Sequence, residues 1–336
     1  MSIIVTIVIL CVLIVVHEFG HFIVAKINGV YVEEFSLGMG PKLLQWGKKE
    51  TRYSVRLLPI GGYVKMCGED EDSENPRAFC NKSVLQRMAI IFCGPFMNFL
   101  IAIVFFMVAY MYFGAPSPST TLGEIVKDSP AAVAGLETGD KVYAIDGVEV
   151  NSWNEMVEQI RSKPNQEIVF EYEHDGELEQ TTIIPILDET GSYGIIGVTQ
   201  SIEKANVIAS IKTGFMQTYQ FTKLMIVSLV DMVTGDAPVE VGGPVMIEQT
   251  VDAYMQEGFM YLFLLAGILS INLGIINLLP IPALDGSRLV FLLIEGIRRK
   301  PVPSDKEAMV HFIGLIAMFG LMIFITYQDI LRITTG

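Results

Sequence analysis

The stretch Val16-His17-Glu18-Phe19-Gly20-His21 places an H-E-x-x-H string inside an otherwise apolar run, and its reading decides the fold. On a helix, residues four apart lie about one turn apart on one face, so the imidazoles of His17 and His21 can grip a single metal ion. Glu18 stands beside them, where its carboxylate can take a proton from metal-bound water. The surroundings make the string unusual. Residues 3–16 carry no charge, and a charged side chain at a bilayer centre costs roughly 2.5–3.5 kcal/mol on translocon scales. A carboxylate and two imidazoles in such a segment need a compensating partner, which a divalent cation supplies.

Composition widens the inference. Of 336 residues 51% are hydrophobic, and the mean hydropathy of +0.47 argues for several membrane spans. The net charge of −14 is unevenly spread: residues 114–258 hold 23 acidic and 7 basic side chains, the remainder 14 and 16. The acidity belongs to one polar insert, and no nucleic-acid partner is expected. Cys11, Cys67, Cys80 and Cys93 show no C-x-x-C spacing and none lies in that insert, so no disulfide framework is implied. The N-terminus lacks a basic n-region and a small-x-small cleavage site, which predicts an uncleaved first span.

The expected fold is a polytopic α-helical membrane protein of about four transmembrane helices, with a cytoplasm-side β-hairpin loop and an inserted extracytoplasmic domain. Residues 1–113 form the first half of the membrane core: a span at about 3–25, a polar loop 26–87, and a span at about 88–113. Ten Lys or Arg against eight acids assign the loop to the cytoplasm. The first span then runs from outside to inside, with the histidine pair past its middle. Within the loop, residues 35–41 and 53–66 have the β-branched and aromatic content and the glycine punctuation of short strands and turns. They form either a surface hairpin or an edge that pairs with an extended peptide, with Gly61, Gly62 and Tyr63 as candidate substrate contacts. Pro95 and Asn98 break the lipid-like pattern of the second span, and such breaks need neighbouring protein to satisfy the freed backbone groups.

Between residues 121 and 199, short β-like runs alternate with one amphipathic helix at about 153–161. The string Ser129-Pro130-Ala131-Ala132-Val133-Ala134-Gly135-Leu136-Glu137-Thr138-Gly139-Asp140, followed by Ile145-Asp146-Gly147, closely resembles the PDZ domains of bacterial membrane proteases. Such a domain either adds an extended peptide to a sheet edge or acts only by its bulk. Residues 205–258 read as amphipathic interfacial helices, because the longest charge-free run, 224–230, is too short to cross. A turn is expected at Val241-Gly242-Gly243-Pro244. Residues 259–336 complete the membrane core, with a third span at about 259–281, an L-D-G motif at 284–286 and a fourth span at about 309–327.

A catalytic zinc takes three protein ligands and keeps one position open. Of the two other histidines, His174 lies in the insert and His311 begins the fourth span. Span direction selects Asp285 instead. Arg298, Arg299 and Lys300 mark the inner end of the third span, which puts Asp285 at the depth of the histidine pair. Pro280 and Pro282 stop the helix and let Asp285 turn toward it. Asn277 either orients a substrate carbonyl or oxyanion, or bonds the broken helix.

With H-E-F-G-H in the first span, N-L-L-P-I-P-A-L-D-G at 277–286 and a PDZ domain between spans two and three, the chain resembles the site-2 protease family over essentially its whole length. More narrowly, it is similar to the bacterial regulator-of-sigma-E-protease type with one PDZ domain. The resemblance implies Zn2+ on His17, His21 and Asp285, with Glu18 as general base. It implies cleavage of single-span membrane proteins within the lipid bilayer, typically anti-sigma factors already trimmed outside and sometimes remnant signal peptides. It also implies a re-entrant β-loop around Tyr53 to Met66, a bacterial cytoplasmic-membrane location, an extracytoplasmic PDZ domain and an active site nearer the cytoplasm. An alternative of another class is a non-proteolytic PDZ scaffold with structural zinc, against which an open coordination position argues.

Overall fold

The structure, a computed structural model, describes residues 1–47, 50–69, 71, 73–188, 191–204, 206–235 and 242–335. In chain order the elements are α1 (Ser2–Ile27), β1 (Val32–Trp46), β2 (Arg52–Met66) and α2 (Val84–Phe113), then a run of short pieces. These are β3 (Ala115–Pro116), β4 (Leu122–Ile125), α3 (Pro130–Val133), β5 (Lys141–Ile145), β6 (Val148–Glu149), α4 (Trp153–Arg161), β7 (Ile168–His174), β8 (Glu177–Ile183), β9 (Ile186–Leu187), β10 (Gly194–Ile195), β11 (Val198–Gln200) and β12 (Ile202–Glu203). Five helices follow: α5 (Val207–Thr234), α6 (Pro244–Glu257), α7 (Phe259–Leu278), α8 (Asp285–Arg298) and α9 (Ser304–Thr335). The turn expected at 241–244 begins outside the described residues. The chain divides into two units, Met1–Ala109 with Ile211–Gly336, and Tyr110–Ser210.

In the first unit, α1, α2, α7 and residues 306–331 of α9 are long and apolar enough to cross a membrane. The protein is a polytopic helical membrane protein with a β-rich insert. Helix α7 stops at Leu278, where Leu279 turns extended (φ −66°, ψ 145°) ahead of Pro280, as steric clash with a following proline ring dictates. Lipid gives helices no hydrophobic reason to associate, so close packing at small residues must hold them together. A Cβ on Gly20 would lie 2.3 Å from the Cys93 carbonyl oxygen, which brings α1 and α2 to backbone contact. Gly267 and Gly274 of α7 meet the rings of Phe106 and Phe99 of α2 in the same way. Phe221 of α5 stacks on Phe106, with ring centroids 5.6 Å apart.

The sheet of this unit is more folded than two short strands. Residues 32–37 of β1 pair antiparallel with 62–66 of β2, and on their other side meet 52–55, which in turn meet 44–46. Each strand therefore doubles back, with bends at Gly38, Gly40 and Gly61, whose φ values of +82°, +83° and +87° are open to glycine. One carboxylate ties the segments together. Glu34 accepts hydrogen bonds from Ser54 Oγ (2.6 Å) and Arg56 Nη2 (2.8 Å), and Lys42 Nζ lies 3.3 Å away. Burial works against its charge, yet these donors hold its pKa down to about 2. Arg56 also donates to the Tyr63 hydroxyl and lies over that ring. Among the described residues nothing pairs with the outer side of 62–66, which is left as an edge.

The second unit holds a four-stranded sheet of order β6-β5-β7-β8. Its core gathers Leu122, Val142, Ile145, Met156, Ile160, Ile168 and Phe170. Helix α4 starts where Ser152 Oγ accepts the Glu155 N–H, and it turns Met156 and Ile160, four apart, into that core. His174 Nδ1 lies 2.7 Å from Asp140 Oδ1 on a neighbouring segment.

Two outcomes follow from these contacts. Gly20→Ala is expected to lower the thermal midpoint in detergent, because its Cβ meets backbone 2.3 Å away, whereas Gly320→Ala, with no atom of the described residues within 4 Å, is expected to leave it unchanged or raise it slightly. The Asp140 hydrogen bond raises the pKa of His174. Its stabilising contribution is therefore full below the ordinary histidine value of about 6.5 and is lost as pH rises through the elevated folded value. After correction for the intrinsic rise of amide exchange with pH, protection in β7 should fall across that window, and His174→Gln should abolish that fall.

Candidate metal centre

Helical spacing sets His17 and His21 of α1 on one face, and both are buried, at 8% and 7% exposure. The segment broken by Pro280 and Pro282 brings in Asp285, the first residue of α8. Asp285 Oδ2 lies 3.1 Å from His17 Nε2 and 3.4 Å from His21 Nε2, and the two Nε2 atoms are 3.2 Å apart. A tetrahedral zinc with bonds of about 2.0–2.1 Å needs its ligand atoms about 3.3 Å apart. The triangle has that size. Asp285 Oδ2 is also buried with no hydrogen-bond partner among the described residues, a costly state for a carboxylate oxygen that a cation relieves. The residues fit a zinc ion, and among those described this is the one such cluster of His, Cys, Asp and Glu.

Helix α2 orients the imidazoles. His21 Nδ1 bonds the Ile90 carbonyl oxygen at 2.9 Å; its N–H donates there, which leaves Nε2 unprotonated for a metal. His17 Nδ1 faces the side-chain amide of Asn98 at 3.1 Å. Asn98 Oδ1 is buried and without a partner among the described residues; with the amide turned, that oxygen accepts the imidazole N–H. Gly94 supplies the space, since a Cβ there would sit 2.2 Å from His21 Nε2.

A cavity of about 470 Å³ opens on this cluster, and Glu18, Tyr63 and Asn277 all line it. Gly62 lies against Glu18, with a hypothetical Cβ 3.2 Å from Glu18 Cγ, while Gly61 sits at the bend before it. Asn277 Nδ2 donates to the Leu273 carbonyl of its own helix at 3.0 Å. The arrangement can bind a metal beside a carboxylate placed to exchange protons with water. Three cavity or orienting residues escaped the sequence reading. Asn98 was visible only as a polar break in the second span. Arg288, one turn beyond Asp285 and ion-paired with Glu69, gave only helical spacing as a signal, and His311 gave only its position at the start of a span.

Peptidase family M50 matches residues 5–321 of the chain. A protein of Clostridium acetobutylicum is 40% identical, covering 95% of this chain and 94% of that one. The zinc metalloprotease RasP of Geobacillus kaustophilus is 34% identical over 98% of this chain and 97% of its own length. The regulator of sigma-W protease RasP of Bacillus subtilis is 32% identical over 94% and 95%. Among solved structures, the PDZ domain of the SdrC-like protein of Listeria monocytogenes is 30% identical and covers 26% of this chain and 90% of that one, with a TM-score of 0.23. The chain therefore belongs to peptidase family M50, the site-2 proteases, and is a zinc metalloendopeptidase.

Proposed function

We propose that this enzyme cuts peptide bonds inside the spanning segments of single-span membrane proteins, with zinc held by His17, His21 and Asp285 and with Glu18 as general base. The observation that supports this reading is the convergence of those three donor atoms, at tetrahedral-edge spacing, from a helix long and apolar enough to cross a membrane. When bound, zinc supplies Lewis acidity that lowers the pKa of a water molecule and polarises the scissile carbonyl. Glu18 takes the proton from that water and delivers it to the departing amine. Ile90 and Asn98 keep both imidazoles in the tautomer that leaves Nε2 free. Asn277 steadies the substrate carbonyl from the cavity wall.

A spanning helix hides its peptide bonds in its own hydrogen-bond ladder, so it must unwind before it can be cut. The edge at 62–66 answers that need. Tyr63, Val64 and Met66 line the catalytic cavity, and the bare backbone of Gly61 and Gly62 lets an extended segment pair closely beside Glu18. The name of the Bacillus subtilis relative, regulator of sigma-W protease, favours anti-sigma factors trimmed by a prior external cut, with remnant signal peptides as further substrates. The charge asymmetry supports an orientation with the insert outside, and the bacterial relatives support a bacterial cytoplasmic membrane as the location. Within the insert, a cavity of about 390 Å³ between α4 and residues 194–198, lined by Trp153, Ile160, Arg161 and Ile196, is the place for a peptide contact.

Glu18→Gln is expected to retain zinc and to lose about 10²–10⁴ in turnover of a trimmed single-span substrate, while Asp285→Asn loses the metal; full cleavage by either variant overturns the assignment. Successive residues of a strand point their N–H groups to opposite sides, so proline at Tyr63 or at Val64 removes a donor from the outer edge. One of the two should depress cleavage with zinc content unchanged, and wild-type rates in both would rule out strand pairing.

A further inference from the structure

We propose that His311, in the fourth spanning helix, is a positioning residue for Asp285: it holds the backbone of the turn that delivers the carboxylate and makes α9 part of the metal centre. The inference rests on the reading of His17, His21 and Asp285 as zinc ligands. Ala283, two residues before Asp285, has φ +78°. Residues other than glycine rarely adopt this left-handed region, and they persist there only where their surroundings over-determine it. Two bonds of the turn, Ile281 N–H to the Leu279 oxygen and Leu284 N–H to the Ile281 oxygen, are internal to the segment. The Ala283 N–H instead leaves it and donates to His311 Nδ1 at 3.1 Å.

Three further features fit this role. Gly314, three residues along α9, sits on the same turn, with a hypothetical Cβ 2.3 Å from Pro282 Cβ and 2.6 Å from its carbonyl oxygen. Helix α9 thus approaches the Asp285 turn as closely as its backbone allows, while Phe312, Ile316 and Ile323 on other faces are more than half exposed. Accepting from an N–H requires a free lone pair on Nδ1, so the ring is neutral with its proton on Nε2. Nε2 has no hydrogen-bond partner among the described residues, and Glu307 Oε1, 3.8 Å away, is beyond bonding range. An apolar residue at 311 would pack comparably but would leave the Ala283 N–H unpaired.

The test uses the full chain in detergent, with zinc affinity read by chelator competition and site geometry read from the visible spectrum of the cobalt-substituted protein. His311→Leu is expected to weaken zinc binding, by no more than the roughly 10–100-fold that loss of a group bonded directly to a metal ligand costs, because His311 bonds the turn two residues before Asp285, and to alter the cobalt bands. His311→Asn, whose Oδ1 can accept where Nδ1 does, should stay near wild type. Adding Ala283→Gly to His311→Leu should restore affinity, because glycine adopts this φ without support. Wild-type affinity in His311→Leu, equal weakening in His311→Leu and His311→Asn, or failure of the glycine rescue would each overturn the proposal. If His311→Leu does not fold, His311→Ala takes its place in the same comparison. Asp285→Asn runs alongside: zinc retained there overturns the ligand assignment itself, whereas zinc lost there and kept in His311→Leu overturns only the role of His311.

Discussion

Two imidazole nitrogens and a carboxylate oxygen stand 3.1–3.4 Å apart within a bundle of apolar helices. In a medium of low polarity the effective penalty for burying an ion is several kcal/mol, and among the described residues Asp285 Oδ2 has no hydrogen bond to offset it. The rest of the membrane unit can be read as the apparatus that gathers these atoms and makes their burial tolerable. Helix α1 contributes two donors through its own periodicity, and a proline-broken segment contributes the third. Helix α2 contributes the Ile90 carbonyl and the Asn98 amide that orient the rings, along with the missing side chain of Gly94.

The same economy of space governs how the helices meet. Where lipid surrounds the chain, apolar side chains gain little by leaving it, and association depends on dispersion and on bonds across close backbones. Gly20 and Gly94 on the α1–α2 seam, Gly267 and Gly274 on the α2–α7 seam and Gly314 against Pro282 all admit neighbours that a Cβ would push away. Ser270 adds a hydrogen bond to the Asn98 carbonyl at 2.8 Å. The candidate metal centre and the helix seams are thus one set of contacts, since the residues that let α1 and α2 touch also set the positions of the imidazoles.

The small sheet poses the opposite problem, because an unpaired edge in water invites aggregation. Here the edge at 62–66 borders the cavity that opens on the candidate metal centre. Its rigidity comes from Glu34, whose carboxylate reaches Ser54 and Arg56, and through Arg56 the hydroxyl of Tyr63. A buried, ionised Glu34 is tolerable only because so many donors converge on it, and their convergence keeps a doubled-back, glycine-bent sheet in a single register.

Much of this was legible in the chain itself. The spacing of His17 and His21, the lengths of the apolar runs, the halt before Pro280 and the β-rich character of the insert all follow from local periodicity and backbone sterics, which act over a few residues. Asp285 could be matched in depth to the histidine pair because charge flanking sets the direction of each span. Other features depended on contacts between distant parts of the chain. Asn98 faces His17 across 81 positions, and His311 receives the Ala283 N–H across 28. The sheet expected as short strands became a folded four-segment edge because Glu34 and Arg56 met across it. Sequence determined which segments are apolar enough to cross, where they break and which residues are candidates for the chemistry. Tertiary structure decided which of them touch, because the rotation of each helix about its axis is set by the side chains its neighbours leave room for.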